Sequence, residues 1–238
     1  MTITTHRVTQ APRKIICVCW TLLSLTIAAQ ERTEISNQLP ASAVTRLALS
    51  LGASKAHAQH VWRDTPPVNS DGTVNAYVEI PRGDRRKWEF DMSANARAID
   101  RVIPADIGGY PVNYGFVPQT VSYDGDPFDA LVLGPPLEGG RLVRGTIVGL
   151  LLMDDEKGYD AKVVLSPDAT GGARPDLTAE SQREIADYFR RYKLFEPDKF
   201  STVAGWGTIT DGLSLVSVTH AFFEQCRQTS ATGCRVTR

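Results

Sequence analysis

The sequence predicts a mainly β fold of the α+β class: a small closed barrel of short strands with helices packed beside it. Three observations carry that prediction. The 238 residues include 19 Gly and 14 Pro, enough turn formers to break the chain into many short segments. Several of those segments alternate apolar and polar side chains with the period of a strand. Only two later stretches repeat with the spacing of a helix.

The elements follow in order. Residues 59–73 are polar, contain Pro66-Pro67, and read as a linker or arm before a domain at 74–227 and a short tail at 228–238. Asn75–Ile80 and Lys87–Asp91 read as strands around a turn at Pro81-Arg82-Gly83-Asp84. Val112–Val117 and Ala130–Leu133 are short and strand-like. Leu142–Met153 is β-rich and apolar enough to cross a core, and Tyr159–Ser166 follows as its hairpin partner. Thr178–Tyr192 is helical: Thr178 is an N-cap, and Ile185, Tyr188, Phe189 and Tyr192 share one face. Thr202–Ile209 reads as a last strand and Leu213–Arg227 as a second helix.

Composition excludes several classes. Hydrophobic residues at 42% and charged residues at 22% are globular values, not those of a disordered chain. A net charge of -1 argues against a nucleic-acid binder. No stretch reaches the roughly 20 apolar residues of a membrane span, so no stable membrane anchor is expected.

The charge is unevenly placed. Residues 1–58 hold six basic and two acidic groups, leaving 20 basic and 25 acidic in the rest. Arg13-Lys14 precedes an apolar run from Ile15 to Ala29. A second run, Leu47–Ala53, follows Arg46 and ends in the small-x-small sequence Ala56-His57-Ala58. A basic flank, a short apolar run and a small-x-small site describe a secretory leader. The first run could end a leader near Ala29 and the second at Ala58; the expectation is a leader over 1–58, cleaved after Ala58, and export to the periplasm or extracellular space, with a cytoplasmic location as the alternative. Outside the cytosol, Cys226 and Cys234 could close a short loop. The four His are scattered, which disfavours a zinc enzyme.

The strongest local signal is Tyr123-Asp124-Gly125-Asp126-Pro127-Phe128-Asp129. Three carboxylates in six residues repel one another unless cations or donors stand between them. Oxygen ligands suit hard divalent cations. By itself the heptad fits a solvated acidic turn as well as a metal site, and it lacks the ligand spacing of an EF-hand. Elsewhere, Asp160 and Lys162 share one strand face, as do Lys87 and Glu89, and Glu79 sits between apolar neighbours. Carboxylates for metal beside Lys and Arg for phosphate is the mixture that a polyanion site requires.

These residues resemble the soluble, magnesium-dependent inorganic pyrophosphatases of family I. Asp124 to Asp129 fits that family's Asp-x-Asp-Pro-x-Asp signature. Val78-Glu79-Ile80-Pro81, Lys87-x-Glu89, Asp100-Arg101, Tyr110-Pro111-x-Asn113-Tyr114-Gly115, Asp155-Glu156-x-Gly158-x-Asp160-Ala161-Lys162 and Tyr192-Lys193 stand around it in the family's order. The resemblance runs from Tyr77 to Trp206. It implies a five-stranded OB-like barrel with flanking helices and hydrolysis of inorganic diphosphate to two phosphates by a metal-activated water. It implies Mg²⁺ as cofactor, with Mn²⁺ or Zn²⁺ able to substitute and Ca²⁺ inhibiting. By position, Asp124, Asp129, Asp160 and Asp155 would bind metal, and Asp126 would accept a proton from the attacking water. Lys87, Arg101, Tyr114, Lys162, Tyr192 and Lys193 would bind the phosphates, with Arg101, Tyr114 and Lys193 also serving catalysis. Glu79, Glu89, Glu156 and Tyr110 would support them. A homo-oligomer is expected. Two rival readings stay open: a non-catalytic phosphate- or metal-binding relative, and an exported phosphohydrolase of other substrates.

Overall fold

The computed structural model of the protein describes residues 38–168 and 174–228. In chain order the elements are α1 (Ala41–Ser54), α2 (Val61–Asp64), β1 (Val74–Ile80), β2 (Arg86–Asp91), β3 (Ala96–Val102), β4 (Asn113–Phe116) and β5 (Asp129–Val132). Then come β6 (Leu142–Asp155), β7 (Gly158–Tyr159), β8 (Lys162–Pro167), α3 (Ala179–Arg191), β9 (Ser201–Gly207) and α4 (Ile209–Gln228).

Five strands close in a ring, as the sequence predicts. β1 pairs with β4 and β4 with β5, both antiparallel; β5 runs parallel to β8; β8 pairs antiparallel with β6; and β6 returns to β1. The ring depends on β6, whose 14 residues span about 46 Å when extended. Its start pairs with β1 at Leu142–Gly145, its middle with β8 and its end with β9 from Leu150 to Asp155. A bulge between Ile147 and Gly149 bends the strand, which with β7 serves four partners in all. At the β1–β4 crossing only Gly fits position 115, because a Cβ there would lie 1.8 Å from the Tyr77 carbonyl oxygen.

Both faces of the ring's central strands are buried. Leu131 and Val164 turn into a cluster with Ile185 and Phe189 of α3, whereas Ala130, Val132, Val163 and Leu165 join Leu215 and Val216 of α4. Burial on both faces explains why these strands read as continuous apolar runs rather than alternating ones. The N-cap of α3 is as expected: Thr178 Oγ1 accepts from Ser181 N at 3.2 Å. α4 begins at Ile209, four residues earlier than its apolar spacing indicates, because Asp211 caps it by accepting from Thr208 N at 2.7 Å.

The expected hairpin over Tyr159–Ser166 divides into β7 and β8, and the break places Asp160 between them. β3 carries no readable signal because its side chains are largely exposed; it pairs with β2 in a separate two-stranded sheet. The segment expected as a leader contains α1, which buries Ala43, Leu47 and Ser54. Leu47 belongs to a cluster with Trp62, Phe222 and Phe223. The boundary expected at Ala58 therefore does not coincide with a boundary in the packing. Residues 1–37, and Cys234 with its expected pairing to Cys226, lie outside the described residues. Among the described residues no helix is long and apolar enough to cross a membrane.

The packing of α1 is testable. Leu47 is fully buried while Leu49 is 70% exposed. Leu47→Ala should lower stability by about 2 kcal/mol and Leu49→Ala by less than about 0.5 kcal/mol in denaturant unfolding. Equal effects would show that α1 does not pack as described.

Candidate active site

One cavity of about 320 Å³ gathers residues from α1, from β1 to β6 and from the loops between elements. The end of β1 supplies Glu79, β4 supplies Tyr114, and the loop before it supplies Tyr110. The β2–β3 hairpin contributes Lys87, Glu89 and Arg101. Asp124 and Asp126 come from the loop before β5, and Asp129 opens that strand. Asp155 ends β6, Glu156 follows it, and Asp160 precedes β8. Tyr192 and Lys193 stand just past α3. All but one of the residues singled out in the sequence thus line a single cavity.

The exception is Lys162. Its side chain is 1% exposed, and its ammonium donates to Asp129 at 2.5 Å and Asp160 at 2.9 Å. It also lies 5.6 Å from the ring centres of Tyr114 and Phe189. Burial alone would lower its pKa, but the charges of Asp129 and Asp160 raise it further, so it stays a cation.

The other carboxylates are held in the same way. Lys193 Nζ donates to Asp155 at 2.7 Å and Glu156 at 2.9 Å. Lys87 pairs with Glu89 and, at 3.4 Å, with Asp100. Arg101 reaches Asp100 at 2.5 Å and Glu196 at 2.7 Å, while its buried Nε has no hydrogen-bond partner. Glu79 accepts from Phe90 N at 2.7 Å.

The acidic loop is a tight turn. Asp126 N donates to Asp124 Oδ1 at 3.0 Å, and Gly125 supplies a φ of +90° that other residues rarely adopt. Burial, with the charge of Asp124 added, pushes Asp126 up to about 7. Burial works to raise Asp124 as well, but Lys157 and the Asp126 N–H hold it below the usual carboxylate range. Burial raises Asp160 to about 8 against the pull of Lys162. Burial also pushes Glu79 well above the usual range, with Asp129 adding to it. Tyr110, Tyr114 and Tyr192 are lifted well above 10 by burial, so their phenols keep their protons and can donate hydrogen bonds at neutral pH.

Several lining residues carry no sequence signal of their own. Lys157 fills the variable position of Asp155-Glu156-x-Gly158; its ammonium lies 3.1 Å from Asp124 and 3.6 Å from Asp126. Lys199 also lines the cavity. Arg46 enters from α1, with Nε 2.6 Å from Asp126 Oδ1. Its place in a segment read as a leader hides it from sequence reasoning.

The donor set is carboxylate oxygen, with no His or Cys in the lining, which suits hard divalent cations. Among the described residues no three ligating side chains already form a finished cation cage. Lys162, Lys157 and Arg46 stand among the carboxylates instead. Carboxylates raised by burial and mutual repulsion fit a divalent cation, which would relieve both.

Comparison with known proteins gives a consistent picture. A family model described as inorganic pyrophosphatase matches residues 76–224. The inorganic pyrophosphatase of Sulfolobus acidocaldarius is 36% identical over 162 residues, covering 65% of this chain and 93% of that protein. That of Thermus thermophilus is 42% identical over 141 residues, covering 56% of this chain and 80% of its own. A crystal structure of the inorganic pyrophosphatase from Thermus thermophilus aligns with a TM-score of 0.62 at 36% identity, over 69% of this chain and 99% of that one.

Lys162 gives a direct test of the charge network. Lys162→Met should cost about 3–5 kcal/mol in denaturant unfolding, because Asp129 and Asp160 would lose their shared buried counter-ion. A loss below about 1 kcal/mol would mean that the ammonium does not hold the two carboxylates together.

Proposed function

The chain belongs to the inorganic pyrophosphatase family and is an inorganic diphosphatase, and from that premise we propose how its own residues hydrolyse diphosphate. The observation that carries the assignment of roles is the sharing of one cavity by two sets of groups. Asp124, Asp126, Asp129, Asp155 and Asp160 form the acidic set; Lys87, Arg101 and Lys193 form the basic one.

The enzyme works with a divalent cation, which we propose to be Mg²⁺, held by Asp124, Asp129, Asp160 and Asp155. When bound, the cation supplies a lowered pKa for water and charge neutralisation for the diphosphate. Asp126 takes the proton of the attacking water as its oxygen bonds to phosphorus and the bridging P–O bond breaks. A carboxylate with a pKa of about 7 is matched to that task near neutral pH. Lys193 exchanges Asp155 and Glu156 for phosphate oxygens, and Lys87 and Arg101 likewise leave their carboxylates for the substrate. The unpartnered Nε of Arg101 is a further donor for the oxyanion. Tyr114 and Tyr192 donate their phenolic hydrogens to phosphate. Tyr110, Glu79, Glu89 and Glu156 hold these groups in place. Lys162 acts from behind the cavity as the shared counter-ion that fixes Asp129 and Asp160 relative to each other. Charge spread over the leaving phosphate is thereby neutralised in a preorganised site.

Export remains part of the proposal, with one change. α1 shares a cluster with Trp62 and Phe223, so a cut after Ala58 would strip a packed helix from the body. We place the end of the leader between Ala29 and Ala41 instead.

Three outcomes are expected. The full chain should release phosphate from diphosphate only with a divalent cation, Mg²⁺ serving best, Ca²⁺ inhibiting, and ATP turning over far more slowly. Asp126→Asn should lower kcat by about 10²- to 10⁴-fold without altering the thermal transition. Equal release from ATP, or near-normal turnover in the variant, would contradict these assignments. N-terminal sequencing of protein from the native host should find a first residue between Gln30 and Ala41; an intact Met1 or a start at Gln59 would contradict the proposed leader.

A further inference from the structure

The segment matched to the family begins at residue 76, so α1 is an addition to it. This addition reaches the centre of the site. Gly125 is pressed against α1 so closely that a Cβ there would lie 2.8 Å from Arg46 Cβ and 3.0 Å from the Ala43 carbonyl oxygen. The helix thus rests on the turn between Asp124 and Asp126.

It is also anchored at both ends of its contact. Ala43 and Leu47 are fully buried, and the C-terminal end is tied to α2, where Arg63 Nη1 donates to the Ser54 carbonyl at 2.6 Å. Arg46 and Ser50 line the cavity from this fixed platform.

Arg46 Nε donates to one oxygen of Asp126 at 2.6 Å, and Lys157 lies 3.6 Å from the other. Lys157 also donates to Asp124 at 3.1 Å. Two carboxylates are therefore matched by two side-chain cations. The Arg46 side chain is 50% exposed, so its guanidinium can swing into water while the helix stays docked.

We propose that α1 is a regulatory wall of the active site and that Arg46 is a built-in counter-ion of Asp126, displaced when a divalent cation binds at the Asp124–Asp126 turn. This rests on the assignment of that turn to the metal and the attacking water. α1 then sets the Mg²⁺ concentration at which the enzyme works. Substrate affinity at saturating Mg²⁺ is left unchanged. Removal of α1 by a cut after Ala58 would abolish the competition.

The test is calorimetric titration of the full chain with Mg²⁺ alone, in the absence of diphosphate. Arg46→Ala should bind Mg²⁺ about threefold more tightly than wild type, the scale of a partly exposed ion pair. Arg46→Lys, which keeps the charge, should stay near the wild-type affinity. In the Asp126→Asn background, Arg46→Ala should change Mg²⁺ affinity no further. Kinetically, the half-saturating Mg²⁺ concentration should fall in Arg46→Ala while KM for diphosphate at saturating Mg²⁺ holds. Unchanged or weaker Mg²⁺ binding in Arg46→Ala overturns the proposal. So does an Arg46→Lys variant that behaves like Arg46→Ala. A raised KM with unchanged Mg²⁺ affinity would place Arg46 on the substrate instead, and also overturns it. A wild-type chain that binds no Mg²⁺ overturns this proposal and the metal assignment together, whereas wild-type binding with no Arg46 effect overturns this proposal alone.

Discussion

Mutual repulsion among buried carboxylates is the constraint around which the rest of the structure is arranged. Asp124, Asp126, Asp129, Asp155 and Asp160 share one cavity with Glu79, and burial with neighbouring carboxylates pushes Asp126, Asp160 and Glu79 up. Each counter-ion comes from a different element. Lys162 rises from β8, Lys193 follows α3, Lys157 sits in the turn after β6, and Arg46 descends from α1. The elements that flank the ring therefore do more than cover its apolar faces; they bring ammonium and guanidinium groups to the acidic centre.

The ring makes that delivery accurate. β6 holds β1, β8 and β9 in a fixed relation, so Asp155 at its end and Asp160 beyond β7 cannot drift apart. Clusters on both faces of β5 and β8 lock Asp129 and Lys162 in place. By contrast, Lys87, Arg101 and Arg46 lie on a separate hairpin or an added helix, and their partners are partly exposed. Strand ends carry Asp129 and Asp155, and side chains with partly exposed partners carry the charges that we propose meet the polyanion. Such a division suits a reaction in which cations must leave carboxylates for phosphate.

α1 extends the same logic beyond the segment matched to the family. A helix that contributed only packing would have no reason to rest on Gly125 and present a guanidinium to Asp126. Its Leu47 belongs to a cluster with Trp62, Phe222 and Phe223, and Val44 and Leu51 pack against that cluster, so the contact at the site is backed by the far end of α4. The position of the acidic turn and the packing of α1 are thus mechanically linked.

The sequence by itself determined the strands with strong apolar character, the amphipathic helix α3, and the acidic and basic residues of the cavity. These signals are local: alternation, helical spacing, and charges set in short ordered motifs. The burial of Glu79 is not among them: between apolar neighbours in Val78-Glu79-Ile80 it reads as the polar face of an amphipathic strand, whereas β1 is buried along its whole length. What the sequence could not supply was any feature defined by contact over distance. β3 looks like a polar loop because its partner β2, not its own side chains, makes it a strand. Lys162 reads only as one basic group of a motif, and its burial between Asp129 and Asp160 is visible only in the folded chain. Arg46 sits in an apolar stretch that reads as a leader, and only the packing of α1 against α4 and Gly125 brings it to Asp126. Tertiary structure decided these roles because an ion pair depends on where two side chains meet, and residues 46 and 126 meet only after the chain has folded.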